Sequence, residues 1–299
     1  MLGEGAVAVL DTSDVRAYRD QGYVILRQRI QPEELESARA LISGLVDQYA
    51  RDYLRDGRIS SMYEEASFER RLARINEESG IKTRNWALAG AMKTAEHFQL
   101  ALHPTILDSV ESVLGPEIAW TGSYSARPKL PEHELTAVPW HQDSQYYGEA
   151  TRHLHVVTVW IPLVDVDDRN GCLLVIPRSS DWGLLKGERG EDLNVRTFED
   201  VETRGESVAL PMQQGDILLF SNLLFHTSKF NTTNSVRWSV DLRYVEPEVS
   251  RERSEEQQEG YNTLKAHYRA ESVTVRSRQP EMIASLAQLQ KFVGLRSAK

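Results

Sequence analysis

The chain has 299 residues, 40% of them hydrophobic and 26% charged, with a net charge of −9. That length can bury a substantial core, and we read it as one domain over residues 1–299, whose acidic balance argues against nucleic acid as a partner. Its lone cysteine, Cys172, excludes an internal disulfide and a thiolate-rich metal site, so any metal must be held by histidine and carboxylate. The first residues carry no basic segment followed by a long apolar run, and no stretch has the length of a membrane span, so a cytoplasmic protein with no membrane partner is expected.

In chain order, residues 13–21 form a short helix with Thr12 or Ser13 as cap and Gly22 as stop, and "YVILRQRI" follows as a strand. Pro32 fits a first helical turn. Leu35, Ala38, Leu41, Ile42, Leu45 and Tyr49 recur at helical spacing, which predicts an amphipathic helix to about residue 50. Residues 52–95 are polar, with helical fragments whose ends the pattern does not mark. Further helices are expected over 94–102 and 105–114, the second stopped by Gly115 and Pro116.

From residue 117 the character changes to β-branched and aromatic runs: "EIAWTGSYSA", "LHVVTVWIPLVDV", "CLLVIP", "ESVALPM", "DILLFSN" and "RWSVDLRYV". Asn170-Gly171 between two of them signals a hairpin, since both residues tolerate positive φ. Many strands after helices, with no βαβ alternation, predict an antiparallel barrel or jelly roll braced by helices. Its helical N-terminal part covers about 1–115, the barrel core about 117–247 and a C-terminal helical segment about 248–299. In the last of these Pro280 opens a helix, Met282, Leu286, Leu289 and Val293 form its face, and Gly294 ends it. Residues 178–206 interrupt the strands with a long charged segment, read either as a mobile cover over a substrate, with Trp182, Leu184 and Leu185 in reach of it, or as a solvated insertion with no catalytic role.

The chemistry is carried by "PWHQDSQYY". In extended backbone residues i and i+2 point the same way, so His141 and Asp143 can reach one metal ion. His226, after the apolar run "DILLFSNLLF", is either a hydrogen-bonded core histidine or a third ligand. Two imidazoles and a carboxylate are the set that binds one face of non-haem Fe(II) and leaves the other positions open. Arg237, Ser239, Asp241 and Arg243 share one face of a strand whose other face is apolar. The apolar side should meet the helices and the polar side the barrel interior, where a guanidinium needs a carboxylate. His153 and His155 have the same i, i+2 spacing but fall in phase with Val157, Val159 and Ile161, on the expected outer face. A non-catalytic jelly-roll protein binding a metabolite in a polar interior is the reading of another class.

These stretches, with the opening "YRDQGYVILRQRIQPEEL", the segment "VTVWIPLVDVDDRNGCLLVIPRSS" and the pair "GDILLFSNLLFHTS" and "VRWSVDLRY", resemble the phytanoyl-CoA dioxygenase family of Fe(II)- and 2-oxoglutarate-dependent oxygenases. The resemblance implies a mainly β fold with helices, built on a double-stranded β-helix (jelly roll, cupin-like). It implies that His141, Asp143 and His226 bind Fe(II), that Arg237 and Ser228 hold the distal carboxylate of 2-oxoglutarate, and that Trp160 lies beside that co-substrate. O2 and a small organic substrate complete the set, and the activity implied is hydroxylation of an unactivated C–H bond with release of succinate and CO2. Desaturation, cyclisation and epoxidation are other outcomes of the same chemistry. Related halogenases lack the carboxylate ligand, which Asp143 supplies here. Where the family often has "PGSH", this chain has "PRSS", so Arg178 stands in place of a glycine.

Overall fold

The computed structural model describes residues 10–80, 99–248, 252–269 and 271–297. Helix α1 (Thr12–Gln21) is capped by Asp11, not by Thr12 or Ser13: the Asp11 carboxylate accepts the Asp14 N–H at 2.8 Å. Gly22 ends it at φ 83°. Strand β1 (Tyr23–Leu26) is shorter than its apolar run suggests because Gln28 takes φ 51° and Asp216 holds the turn, accepting the Gln28 N–H at 2.8 Å and pairing with Arg27 at 2.7 Å. Helix α2 (Glu36–Arg55) buries Ala38, Ile42, Leu45, Val46 and Ala50, and α3 (Phe68–Ser79) fills part of the region the sequence left unbounded. The expected helix over 94–102 lies mostly outside the described residues, while α4 (Pro104–Leu114) forms as expected.

Strands β2 (Ile118–Lys129), β4 (Val156–Pro162), β9 (Ile217–Ser221), β11 (Arg237–Val245) and β12 (Val273–Arg276) join β1 in one sheet of order β1-β9-β4-β11-β2-β12. Strands β3 (Val138–His141), β5 (Leu173–Val175), β8 (Val208–Leu210) and β10 (His226–Ser228) form a second, of order β3-β10-β5-β8. Every pairing is antiparallel. The sheets close over one cavity, lined by Arg127, Trp160 and Arg237 from the first and by His141, His226 and Ser228 from the second. This is the jelly-roll arrangement.

Strand β11 shows why the sequence folds this way. All nine of its residues are buried, with helices on one side and the cavity on the other. Outward, the Trp238 ring packs on Phe68 of α3 with centroids 5.6 Å apart, and the Tyr244 hydroxyl donates to the Ala101 carbonyl at 2.7 Å. Removing each of these aromatic side chains from water stabilises the fold by about 2–3 kcal/mol. Inward, Arg237, Asp241 and Arg243 line the cavity, as the alternation predicts.

Three expectations are corrected. Asn170-Gly171 does form a turn, with Gly171 at φ 88° and the Cys172 N–H on the Asp167 carbonyl at 2.9 Å, but not a hairpin: β4 and β5 belong to different sheets. The turn chemistry is local, and it sends the chain across the barrel. The terminal helix does not open at Pro280 or end at Gly294; Pro280–Met282 is a single 3-10 turn, and helix α7 (Leu286–Ser297) runs through position 294. Residues 178–206 hold a folded two-stranded hairpin, β6 (Gly187–Arg189) with β7 (Val195–Thr197), and none of them lines the cavity. Trp182 and Leu185 instead pack with Ile176, Val201 and Phe225. Among the described residues no helix is long and apolar enough to cross a membrane.

Candidate metal centre and co-substrate pocket

His141 at the end of β3 and His226 at the start of β10 are direct cross-strand partners, which brings their rings to 4.1 Å between centroids. Gln142 continues in extended backbone, and Asp143 begins a one-turn helix, α5 (Asp143–Tyr147). Asn222 fixes that turn: its side chain donates to the Ser144 hydroxyl at 2.7 Å and accepts the Val156 N–H at 3.0 Å. The ligand atoms of His141, Asp143 and His226 all lie within 4.8 Å of one another, and all three residues are buried.

The hydrogen bonds decide what these atoms can do. His141 Nδ1 donates to the Pro139 carbonyl at 2.8 Å and His226 Nδ1 to the Leu224 carbonyl at 3.0 Å. A carbonyl only accepts, so both Nδ1 atoms carry the proton and each neutral ring presents the Nε2 lone pair. Those Nε2 atoms sit 4.0 and 3.9 Å from the same oxygen, Asp143 Oδ1. Burial pushes His141 down to about 3, with His226 adding to the shift, and lowers His226 as well. Three acceptors thus converge with no proton among them, a donor set that fits a divalent cation.

The other carboxylate oxygen is held from behind. Asp143 Oδ2 accepts from the Thr158 hydroxyl at 2.7 Å and from Arg243 Nε at 3.2 Å. Burial alone would raise the Asp143 pKa; Arg243, the two histidines and Thr158 outweigh it and hold the carboxyl well below its usual range. Arg243 also bonds Asp241, which is paired in turn with Arg127. Such partners orient a ligand and set its charge.

The cavity beside this centre has a volume of about 440 Å³. Beyond the triad it holds Trp160, Ser228 and Arg237, with the Arg237 guanidinium carbon 5.4 Å from the centre of the Trp160 ring. Arg237 donates to the Ser239 hydroxyl at 2.7 Å, but its buried Nε has no partner among the described residues. Burial, together with Arg127, pushes it down to about 10. A buried guanidinium with a free donor and a cavity in front of it fits a carboxylate ligand. The cavity is also lined by Tyr146 and Tyr147 of α5 and by His267 and Tyr268 at the end of helix α6 (Glu255–Tyr268).

All six residues expected in the site therefore border one cavity. His153 and His155 stay apart from it; the His155 ring is hydrogen-bonded to the Tyr18 hydroxyl at 2.8 Å. Sequence reading put Arg243 on the interior face without giving it a role, and missed Thr158, Lys129 and Gln142. The last is fully buried and staples the loops, donating to the Gly183 and Leu223 carbonyls at 2.7 Å each. The polar alternation of "RWSVDLRY" is what turns Arg243 inward, as the cavity lining bears out. Nothing local marks Gln142.

The sequence profile of the phytanoyl-CoA dioxygenase family matches residues 18–239. The chain belongs to that family. With membership comes the class of non-haem iron, 2-oxoglutarate-dependent dioxygenases and its cofactor pair, iron and 2-oxoglutarate. The peroxisomal phytanoyl-CoA dioxygenase of Mus musculus is 30% identical over 155 residues, which are 50% of this chain and 46% of that protein, so the match spans less than half of the relative. Among solved structures, the non-heme monooxygenase ThoJ in its apo form has a TM-score of 0.56 at 18% identity, covering 95% of this chain and 98% of that one. The epimerase SnoN, in complex with Fe3+, alpha ketoglutarate and nogalamycin RO, has a TM-score of 0.51 at 20% identity, covering 78% and 82%. At such identities the likeness is one of fold.

Proposed function

We propose that the protein hydroxylates an unactivated C–H bond of a small organic metabolite, coupled to conversion of 2-oxoglutarate and O2 into succinate and CO2. His141, Asp143 and His226 are the iron ligands in this reading, Arg237 and Ser228 take the distal carboxylate of the co-substrate, and Trp160 flanks it. One observation carries it: three unprotonated ligand atoms converge at one part of a cavity, while a buried arginine with a free donor faces the same cavity. We further propose one oxygenase domain over 1–299, acting in the cytoplasm.

Iron held by His141, Asp143 and His226 would leave positions for 2-oxoglutarate and O2 and would let O2 act as the oxidant. The chain's own residues orient and shield. Arg237 gives one end of the co-substrate a two-pronged donor, which fixes the direction in which its other end points toward the triad. Thr158 and Arg243 hold Asp143 Oδ2 most closely, so Oδ1, met only by the longer 3.4 Å contact from Arg243 Nη2, is the oxygen turned to the metal. Tyr146, Tyr147 and Tyr268 line the same cavity and limit water in it.

The test is succinate formation by Fe(II)-loaded protein against a metabolite library, followed by turnover under 18O2. Label in the product supports hydroxylation; an unlabelled, dehydrogenated or cyclised product replaces it with desaturation or ring closure. No succinate under any condition returns the protein to the binding-module reading.

A further inference from the structure

Strand β2 ends in Lys129, whose backbone pairs directly with Arg237 across the sheet. Lys129 is 2% exposed and borders the same cavity as Arg237. Its stem lies in a groove that only a glycine leaves open: a Cβ at Gly171 would meet Lys129 Cδ at 2.5 Å and the Lys229 carbonyl at 2.6 Å. Its amine donates to the carbonyls of Ser228 at 3.2 Å and Lys229 at 2.6 Å. Two N–H groups suffice for those two bonds, so a neutral amine already satisfies them. A third N–H exists only on the ammonium.

The groups facing this amine explain its state. They are the Arg237 guanidinium on β11, the Cys172 thiol just before β5 and the two carbonyls; among the described residues no carboxylate pairs with it. Burial, with Arg237 adding to it, pushes Lys129 down to about 6, while burial raises the Cys172 thiol to about 11 and keeps it uncharged. Two cationic side chains set side by side and buried without an anion are unfavourable unless a ligand brings one.

We infer that Lys129 is a second cation for the distal carboxylate of the co-substrate, shared with Arg237. This rests on the 2-oxoglutarate reading given above. When the carboxylate arrives, the amine takes a proton from solvent, keeps its two carbonyl bonds and directs the third N–H to the ligand. The carboxylate then faces two positive charges, and the Ser228–Lys229 segment that follows His226 is tied to the co-substrate through Lys129. Lys129 is thus a co-substrate-binding residue whose charge is created by binding.

Calorimetry on the full chain loaded with Mn(II), without oxygen, tests this with 2-oxoglutarate titrated in buffers of different ionisation enthalpy. Wild type should take up about one proton per 2-oxoglutarate at pH 8 and much less at pH 5, where the amine already holds it. Lys129→Met keeps the stem; it should lose the uptake and bind roughly 10- to 100-fold more weakly, with Mn(II) binding unchanged. Binding by wild type with no proton uptake at pH 8, or uptake that persists in Lys129→Met, overturns the inference and leaves the co-substrate reading standing. Absence of any 2-oxoglutarate binding to wild type overturns both. The wild-type measurement decides even if the variant fails to fold.

Discussion

The sharpest test of the metal centre is to remove the charge behind it. Arg243 is 7% exposed and contacts Asp143 through Nε at 3.2 Å and Nη2 at 3.4 Å, while its Nη1 bonds Ser123 at 3.2 Å and also Asp241. In Arg243→Met, Asp241 keeps Arg127, but Asp143 is left with the Thr158 hydroxyl and two imidazoles whose lone pairs point at it. Breaking a buried pair on one side costs about 3–5 kcal/mol. For a chain of this size that lowers the melting temperature of the metal-free protein by roughly 5–8 °C. A divalent cation should restore much of the loss, because it compensates the same carboxylate, so the metal-induced rise in melting temperature should be larger in the variant than in wild type. Thermal unfolding with chelator and then with Mn(II) reads both quantities. A metal-free variant that melts within about 1 °C of wild type, or an equal metal-induced rise in the two proteins, would show that Arg243 does not compensate Asp143.

The other predictions concern the rest of the site. His141→Ala and His226→Ala should lose stoichiometric iron, measured by metal analysis, whereas His153→Ala and His155→Ala keep it; full iron content in His226→Ala removes the triad. Arg237→Ala should weaken 2-oxoglutarate by about 2–5 kcal/mol and Arg237→Lys by less, since a point charge cannot make both hydrogen bonds; equal affinities in titration would defeat that assignment. Replacing residues 188–204 by a short Gly/Ser linker releases the Tyr146 hydroxyl from the Val195 N–H, a 3.0 Å bond, and should raise succinate relative to product while iron stays bound; full coupling would show that the segment has no part in enclosing substrate. Lys129 holds its proton to about pH 10.4 when unfolded but loses it near 6 when folded, so between these values the unfolded chain binds more protons. Stability of the metal-free protein should therefore gain up to about 1.4 kcal/mol per pH unit over that window from this residue, and denaturant titrations of Lys129→Met should lack the rise.

Where the site could be read from sequence, a period set it. His141 and Asp143 are two apart in extended backbone, and Arg237 lies on the polar side of a strand whose Trp238 and Tyr244 must find helices, so each residue's direction follows from its neighbours. Ser228 and Trp160 came from family resemblance, and both border the cavity. Lys129 was passed over because it stands at the end of "SYSARPK", where a lysine reads as a solvent-facing strand terminus. Only the pairing of β2 with β11 places it next to Arg237. The same limit explains Asn170-Gly171: a dipeptide specifies the bend of the chain, but which strands pair beyond it depends on hydrogen bonds to segments more than thirty residues away, such as β8 and β10 on β5.

The charged segment 178–206 shows how an interruption can act on a site without entering it. Its hairpin lies against α5: Gln145 donates to the Leu185 carbonyl at 3.0 Å and to the Thr197 hydroxyl at 2.9 Å, and the Arg189 guanidinium sits 5.7 Å from the centre of the Tyr146 ring. Tyr146 in turn packs edge-on against His141, with centroids 5.1 Å apart. Arg178, in place of the family's glycine, keeps the left-handed conformation at φ 65° and donates its N–H to the Gln21 carbonyl at 2.8 Å, so the loop enters the hairpin by the path a glycine would allow. The segment therefore bears on the proposed metal ligands through that ring and through Gln142, which bonds Gly183 and Leu185, and through the Ser179 hydroxyl, which accepts the Phe225 N–H beside His226, while Tyr268 and His267 from α6 line the cavity itself. We propose that substrate is enclosed chiefly by the C-terminal residues that line the cavity, with the hairpin supporting Tyr146 from outside it. Tyr268→Ala should accordingly raise succinate relative to product more than any single substitution within 188–204, and coupling assays that rank the hairpin variants above Tyr268→Ala would reverse that assignment.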